Sequence, residues 1–301
     1  MKKENIQILS SFDGLSLDVV LTIPENVKGI VQFAHGMAEH KERYLPFMEY
    51  LTENGYVCCI NDHRGHGKSI KDENDLGYFY DKTGQAVTDD IHQITLYLLE
   101  RFPDVPITLF GHSMGSLIVR AYARKYDADI DKLVVCGSPS ANSAAGIAIG
   151  LIDSIALFKG DRYVSPLIES MTTGGYNKAY PDETNSWLSV NRENVHKYNE
   201  DTLCGYPFKL NGYRNLMILM KDAYRTDGWV VENCNLPIMF ISGADDVCAV
   251  NEEKWKDAVE SMKSHGYNNV FGKMYPGKRH EILNEDGHEE VYKDVLEFIS
   301  K

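Results

Sequence analysis

The spacing of apolar residues changes period several times along this chain, and each change marks an element. Ile6-Gln7-Ile8-Leu9-Ser10 and Leu17-Asp18-Val19-Val20-Leu21-Thr22 read as strands, and the turn signal Phe12-Asp13-Gly14 between them predicts an antiparallel hairpin. Ile30-Val31-Gln32-Phe33-Ala34 is the run expected of a buried strand. Tyr44 to Glu53 carries Leu45, Met48 and Leu51 at helical spacing, and Tyr56-Val57-Cys58-Cys59-Ile60 is the next strand. Asp89 to Arg101 is amphipathic, with Ile91, Ile94, Leu98 and Leu99 on one side. Ile107 to Phe110 and Lys132 to Cys136 are β-prone, and Ser116 to Ala123 between them can run as a helix. Strand and helix therefore alternate from Ile30 to Cys136, the pattern of βαβ units in a parallel sheet with right-handed crossovers.

The alternation stops at Gly137-Ser138-Pro139-Ser140. From Ser140 to about Val231 the chain offers helical segments, chiefly Ala144 to Phe158 and Gly212 to Tyr224, and few strands. It resumes with a strand at Leu236 to Ile241, a helix at Glu252 to His265, a strand at Asn269 to Tyr275 and a helix at Glu289 to Ile299. The predicted fold class is α/β. A mostly parallel sheet flanked by helices, residues 1–137 and 232–301, is interrupted by a helical insertion, 138–231. Ala144 to Phe158 is apolar enough either to pack on the sheet or to wall an acyl tunnel.

Composition narrows the function. A net charge of −13 argues against a nucleic-acid-binding surface. The polar start Met1-Lys2-Lys3-Glu4-Asn5 leads into no apolar signal region. The most apolar window, Ile147 to Phe158, is broken by Asp153 and too short to span a bilayer. Six cysteines include no Cys-x-x-Cys pair, and Cys58, Cys59 and Cys136 lie in apolar runs. Reduced, buried thiols and a cytoplasmic location are expected, with no zinc site and no cofactor.

The chemistry concentrates around Gly111-His112-Ser113-Met114-Gly115, a Gly-x-Ser-x-Gly sequence between a strand and a helix. That context turns the chain sharply and lifts a serine hydroxyl above the sheet edge. A serine nucleophile needs a base, and the base needs an orienting acid. In one large class of serine hydrolases these follow in the order Ser, acid, His. Two loops after downstream strands satisfy that order: Ser242-Gly243-Ala244-Asp245-Asp246-Val247 and Pro276-Gly277-Lys278-Arg279-His280-Glu281. In a parallel sheet both emerge at the edge where Ser113 sits. His280 is the expected base, and His265 and His288 read as surface histidines. Asp245 and Asp246 both remain candidates for the acid. Spacing from Gly243 favours Asp246 and leaves Asp245 as a loop or N-cap residue. The backbone N–H of Met114 and that of Met37, after the strand ending at Ala34, are the expected oxyanion donors.

These residues carry a family resemblance. His35-Gly36-Met37-Ala38-Glu39-His40 with Arg43-Tyr44, Asp62-His63-Arg64-Gly65-His66-Gly67-Lys68-Ser69 and the Ser113 pentapeptide are similar to motifs of the monoacylglycerol lipase and lysophospholipase group of serine α/β-hydrolases. Tyr275 to Glu281 resembles the histidine loop of its bacterial members. The resemblance implies Ser113 as nucleophile, Asp246 as acid, His280 as base and oxyanion donors at Met37 and Met114. It also implies a cap formed by the insertion. Many bacterial relatives carry Asp-Pro-Val in the acid loop, whereas this chain reads Asp246-Val247-Cys248. The His63-Arg64-Gly65-His66-Gly67 loop reads as structural, and Cys248 as a packed thiol.

The expected activity is hydrolysis of carboxylic esters of lipid type, on small-molecule substrates, with transient membrane or micelle contact through the cap. A carboxylesterase for short-chain or aryl esters, a peptidase of similar fold and a slow-turnover binding protein are the alternatives. Oligomeric state is left open.

Overall fold

The computed structural model describes residues 1–172 and 174–301. Its described residues form an eight-stranded sheet in the order β1-β2-β4-β3-β5-β6-β7-β8. β1 (Lys2–Leu9) and β2 (Ser16–Ile23) make the predicted antiparallel hairpin, and β2 runs antiparallel to β4 (Tyr56–Asn61). All further pairings are parallel, through β3 (Gly29–Ala34), β5 (Ile107–His112), β6 (Lys132–Cys136), β7 (Ile238–Gly243) and β8 (Val270–Tyr275). β3, β4, β5 and β7 are buried at every residue. Strands covered on both faces carry side chains of one kind on both sides, so they read in sequence as continuous apolar runs.

Two helical layers provide that cover. On one face lie α1 (Leu45–Glu53) and α10 (Glu289–Ser300), whose Phe47, Leu51, Val291 and Val295 pack with Phe33 and Phe110. On the other lie α2 (Ala86–Arg101), α3 (Met114–Tyr126) and α9 (Glu252–Ser264). The predicted stripe of α2 is buried at Ile91, Ile94 and Leu98. That helix starts at Ala86, ahead of the expected Asp89, because Ala86 and Val87 are buried as well.

Between β6 and β7 the described residues hold helices and no strand. These are α4 (Ala145–Lys159), α5 (Pro166–Thr172), α6 (Gly174–Ala179), α7 (Arg192–Glu200) and α8 (Leu210–Tyr224). α8 is anchored. Leu219 and Ala223 are fully buried, and the buried Arg120 of α3 donates to Ala223 O at 2.8 Å and lies 4.0 Å from the Tyr224 ring centroid. α4 lies against α8 and buries only Ala145 and Ile152. Its Ile147, Leu157 and Phe158 are 78%, 80% and 85% exposed, an unusual place for large apolar groups. Trp187, Leu188, Tyr198, Cys204 and Cys248 form a separate small core. It joins the inserted segment to the loop after β7. No helix among the described residues is long and apolar enough to cross a membrane.

Candidate active site

β5 ends at His112 and α3 begins at Met114, so Ser113 alone makes the turn, with φ 55° and ψ −119°. That conformation suits glycine and strains any residue with a Cβ. Close packing holds it in place. A Cβ on Gly111 would lie 2.3 Å from Gly115 O, and one on Gly115 would lie 2.0 Å from Ala34 O. Both glycines are therefore required by the backbones that pass them. Ser113 N donates to Cys136 O at 3.0 Å, and Ser116 Oγ donates back to Ser113 O at 2.5 Å. Met114 is the first helical residue, so its N–H has no intrahelical acceptor and lies at the positive end of α3.

β3 pairs directly with β5, Ala34 opposite Gly111, and the loop after it reaches Ser113. A Cβ on Gly36 would sit 3.2 Å from that of Ser113 and 2.6 Å from Glu39 Oε1. Gly36 N donates to Glu39 Oε1 at 2.5 Å, which fixes the turn that carries Met37. Ser113, Met37, Met114 and His280 line one cavity of about 800 Å³.

His280 and Asp246 come together from the loops after β8 and β7. His280 Nδ1 lies 2.9 and 3.0 Å from the two Asp246 oxygens. Asp246 also accepts from Cys248 N at 2.8 Å and Ser242 Oγ at 3.1 Å. Burial opposes ionisation of Asp246, but His280 and these donors outweigh it and hold its pKa below the ordinary value. Burial likewise opposes charge on His280, while Asp246 and then Cys248 raise its pKa well above that of a free histidine. A carboxylate on Nδ1 keeps the proton there and leaves Nε2 as the basic nitrogen. Asp245 is exposed, and its carbonyl accepts from Tyr180 OH of the inserted segment. It does not cap the following helix either, because Asn251 caps α9 by accepting from Lys254 N. His265 stacks on Trp229 at 3.9 Å and His288 precedes α10, both apart from the cavity lining.

Several neighbours of the site carry no distinct sequence signal. Trp187, from the inserted segment, packs 5.2 Å from the His280 ring and 4.9 Å from Tyr176. Arg43 is enclosed between two buried carboxylates. It donates to Glu39 Oε2 at 2.6 Å and to both Glu281 oxygens at 2.6 Å, and it lies 4.9 Å from the Tyr198 ring. One guanidinium thus ties the Met37 loop, the His280 loop and α7 together. Glu39 and Arg43 stood within a recognised motif, but only the fold reveals Glu281 as their common partner.

The loop from His63 to Gly67 is a support. Arg64 is fully buried and donates to Asp90 Oδ2 at 2.8 Å and Phe79 O at 2.9 Å. Asp62 accepts from Lys41 N and Lys68 N, and a Cβ on Gly67 would fall 2.2 Å from its carboxylate. The rings of His35 and His63 lie 4.1 Å apart, and those of His35 and His66 5.1 Å apart. This block meets the start of the Met37 loop through His63 N, which donates to His35 Nε2 at 2.9 Å. Cys248 is a buried thiol within 4.8 Å of the Asp246 and His280 ligand atoms.

Known proteins share this arrangement of elements. A carboxyl esterase from Bacillus coagulans superimposes with a TM-score of 0.91 over 99% of this chain and 98% of its own, at 26% identity. The monoacylglycerol lipase of Mycolicibacterium smegmatis is 25% identical over 285 residues, 93% of this chain and 91% of that one. The monoglyceride lipase of Mus musculus is 27% identical over 266 residues, 86% and 77% of the two chains. The family described as serine aminopeptidase S33 matches residues 25–287, from before β3 to past His280. The chain belongs to that family of α/β-hydrolases, in company with the monoacylglycerol lipases that its N-terminal motifs resemble.

Proposed function

We propose that this protein is a serine hydrolase that cleaves carboxylic esters of lipid type, monoacylglycerols or lysophospholipids, through an acyl-enzyme. The observation that carries the reading is one cavity lined both by Ser113 and His280 and by many apolar side chains. Ile147, Leu151, Ile152, Ile168, Met217 and Met220 line it beyond the serine. In the proposed reaction His280 Nε2 takes the Ser113 proton as Oγ attacks the ester carbonyl. The Met37 and Met114 N–H groups receive the oxyanion. The same imidazolium, stabilised by Asp246, then protonates the departing alcohol. Water, deprotonated by His280, adds to the acyl carbon and releases the acid, and Ser113 regains its proton. The peptidase label of the family is not taken up in this proposal, because Glu39 and Glu281, two acids that line the cavity, are both committed to Arg43 rather than free to receive a substrate ammonium.

Residues 138–231 serve in this proposal as the cap that excludes water and admits the acyl chain. Ile147 and Met171 line the cavity and are also exposed, so the apolar outer surface is continuous with its mouth. That continuity supports contact of the cap with a lipid surface. Replacing Ser113 by Ala is expected to abolish both monoolein hydrolysis and labelling by a fluorophosphonate. Full labelling of the variant would place the nucleophile elsewhere. On p-nitrophenyl esters, kcat/KM is expected to rise with acyl length, and a maximum at acetate would favour the short-chain esterase.

A further inference from the structure

The fold assembles a cluster that the cysteine spacing does not reveal. His40 follows the Met37 loop, Asp201 directly follows α7 and Cys204 lies in the turn before α8. The ligand atoms of these three residues all lie within 4.8 Å of one another. His40 Nε2 is 2.8 Å from Asp201 Oδ2. His40 and Cys204 are buried, and the Asp201 side chain is about a third exposed. The turn is fixed from within, since Cys204 N donates to Asp201 O at 2.9 Å and Leu203 N to Asp201 Oδ1 at 2.8 Å.

A second observation, independent of this spacing, also points to a metal. The other imidazole nitrogen, His40 Nδ1, lies 2.6 Å from Glu42 Oε2, and Glu42 is held in turn by Lys41 at 3.0 Å. Histidines that ligate metals almost always donate their second ring N–H to a carboxylate or carbonyl, which orients the ring and strengthens it as a ligand. Here that outer partner is in place.

We propose that His40 Nε2, Asp201 and Cys204 Sγ form a binding site for a thiophilic divalent cation of the zinc class, with water as fourth ligand. Thiolate and imidazole select zinc-like ions over magnesium or calcium. Across a tetrahedral zinc, ligands at roughly 2.0–2.3 Å stand roughly 3.3–3.8 Å apart. Asp201, now 2.8 Å from His40 Nε2, must therefore withdraw slightly, and the Cys204 thiolate must settle within the same range. The Asp201 shift is small, and its side chain has solvent to move into. The site spans the junction between the inserted segment and the Met37 loop. Beside it Gly205 N donates to Ala38 O at 2.9 Å, and Tyr198 OH donates to the same oxygen at 3.0 Å. An ion there holds the inserted segment to the loop that carries Met37, so occupancy stiffens the two together.

The test uses the full chain, stripped with a chelator and titrated with Co(II). One equivalent is expected to bind, with a thiolate-to-cobalt charge-transfer band and a raised thermal midpoint. Cys204→Ser removes the band, whereas Cys234→Ser and Cys248→Ser retain it. Glu42→Gln, at a half-exposed position and checked for an unchanged far-UV spectrum, weakens binding by roughly 10- to 100-fold. Absence of a band in the native chain overturns the proposal. So does a band that survives Cys204→Ser but not Cys248→Ser, which would place the metal on His280. Unchanged affinity in Glu42→Gln removes the orienting role and with it the second support.

Discussion

Ser113 shows how much one residue's backbone can cost. Its φ of 55° with ψ of −119° lies where only glycine is unstrained, a cost on the order of 1–3 kcal/mol. Ser113→Gly removes that strain and loses some back to the freedom of the unfolded chain. The expected net gain is about 1 kcal/mol, read from the urea midpoint, with all hydrolysis lost. Ser113→Ala keeps its Cβ and gains nothing, so equal midpoints in the two variants would refute the strain. The serine was legible in sequence because two glycines and a strand-to-helix context mark it. The partner of His280 was less so, since Asp245 and Asp246 differ by one position and only the fold buries one of them against that histidine. Trp187 over that histidine was not legible at all, because a single aromatic in a helical insertion looks the same whether it packs on the core or on a site.

At the scale of elements, the strands and most helices were readable because burial on two faces or on one stripe leaves a period in the sequence. What the pattern did not carry is how loops from separate strands are tied. Arg43 does this through Glu39 and Glu281, far apart in the chain and adjacent in space. Burial disfavours both carboxylates in charged form, and Arg43 reverses this, so both pKa values fall below the ordinary one. Arg43→Met leaves two buried carboxylates facing each other. It is expected to cost roughly 3–5 kcal/mol in chemical denaturation. Adding Glu281→Gln recovers part of that loss, and a single variant as stable as the native chain would show that the tie is not structural.

For the whole molecule, three buried imidazoles weaken the fold in mild acid. Burial, then neighbouring histidine, lowers His35 and His66 to about 3, and His63 lies well below its ordinary value. Their folded pKa values are beneath the unfolded one near 6.5. Below that pH the unfolded chain binds protons that the folded chain refuses, so stability falls as pH drops. Each imidazole contributes up to about 1.4 kcal/mol per pH unit. His280 acts in the opposite sense and in another window. Its raised folded pKa favours the native state at low pH, and that contribution is lost as pH rises above the ordinary histidine value. A stability maximum near neutrality is therefore expected, with a steep fall from about pH 6 to pH 4. Guanidinium midpoints across that range check it, and a flat profile would contradict it.

The parallel neighbours β6 and β7, Cys136 opposite Ile241, enclose the inserted segment. During synthesis this sets an order of events. β3, β4, β5 and β6 leave the ribosome early, and with them Ser113 and the Met37 loop can take up their places. Closing the roughly hundred-residue excursion to β7, rather than one of about twenty, adds only about 1.4 kcal/mol of chain entropy. The delay is instead one of time, since β7 and β8 must be translated before either Asp246 or His280 can reach the serine. On the proposed assignment a nascent chain thus holds Ser113 folded but without His280 as its base, and hydrolysis begins only when the last sheet strand has been added.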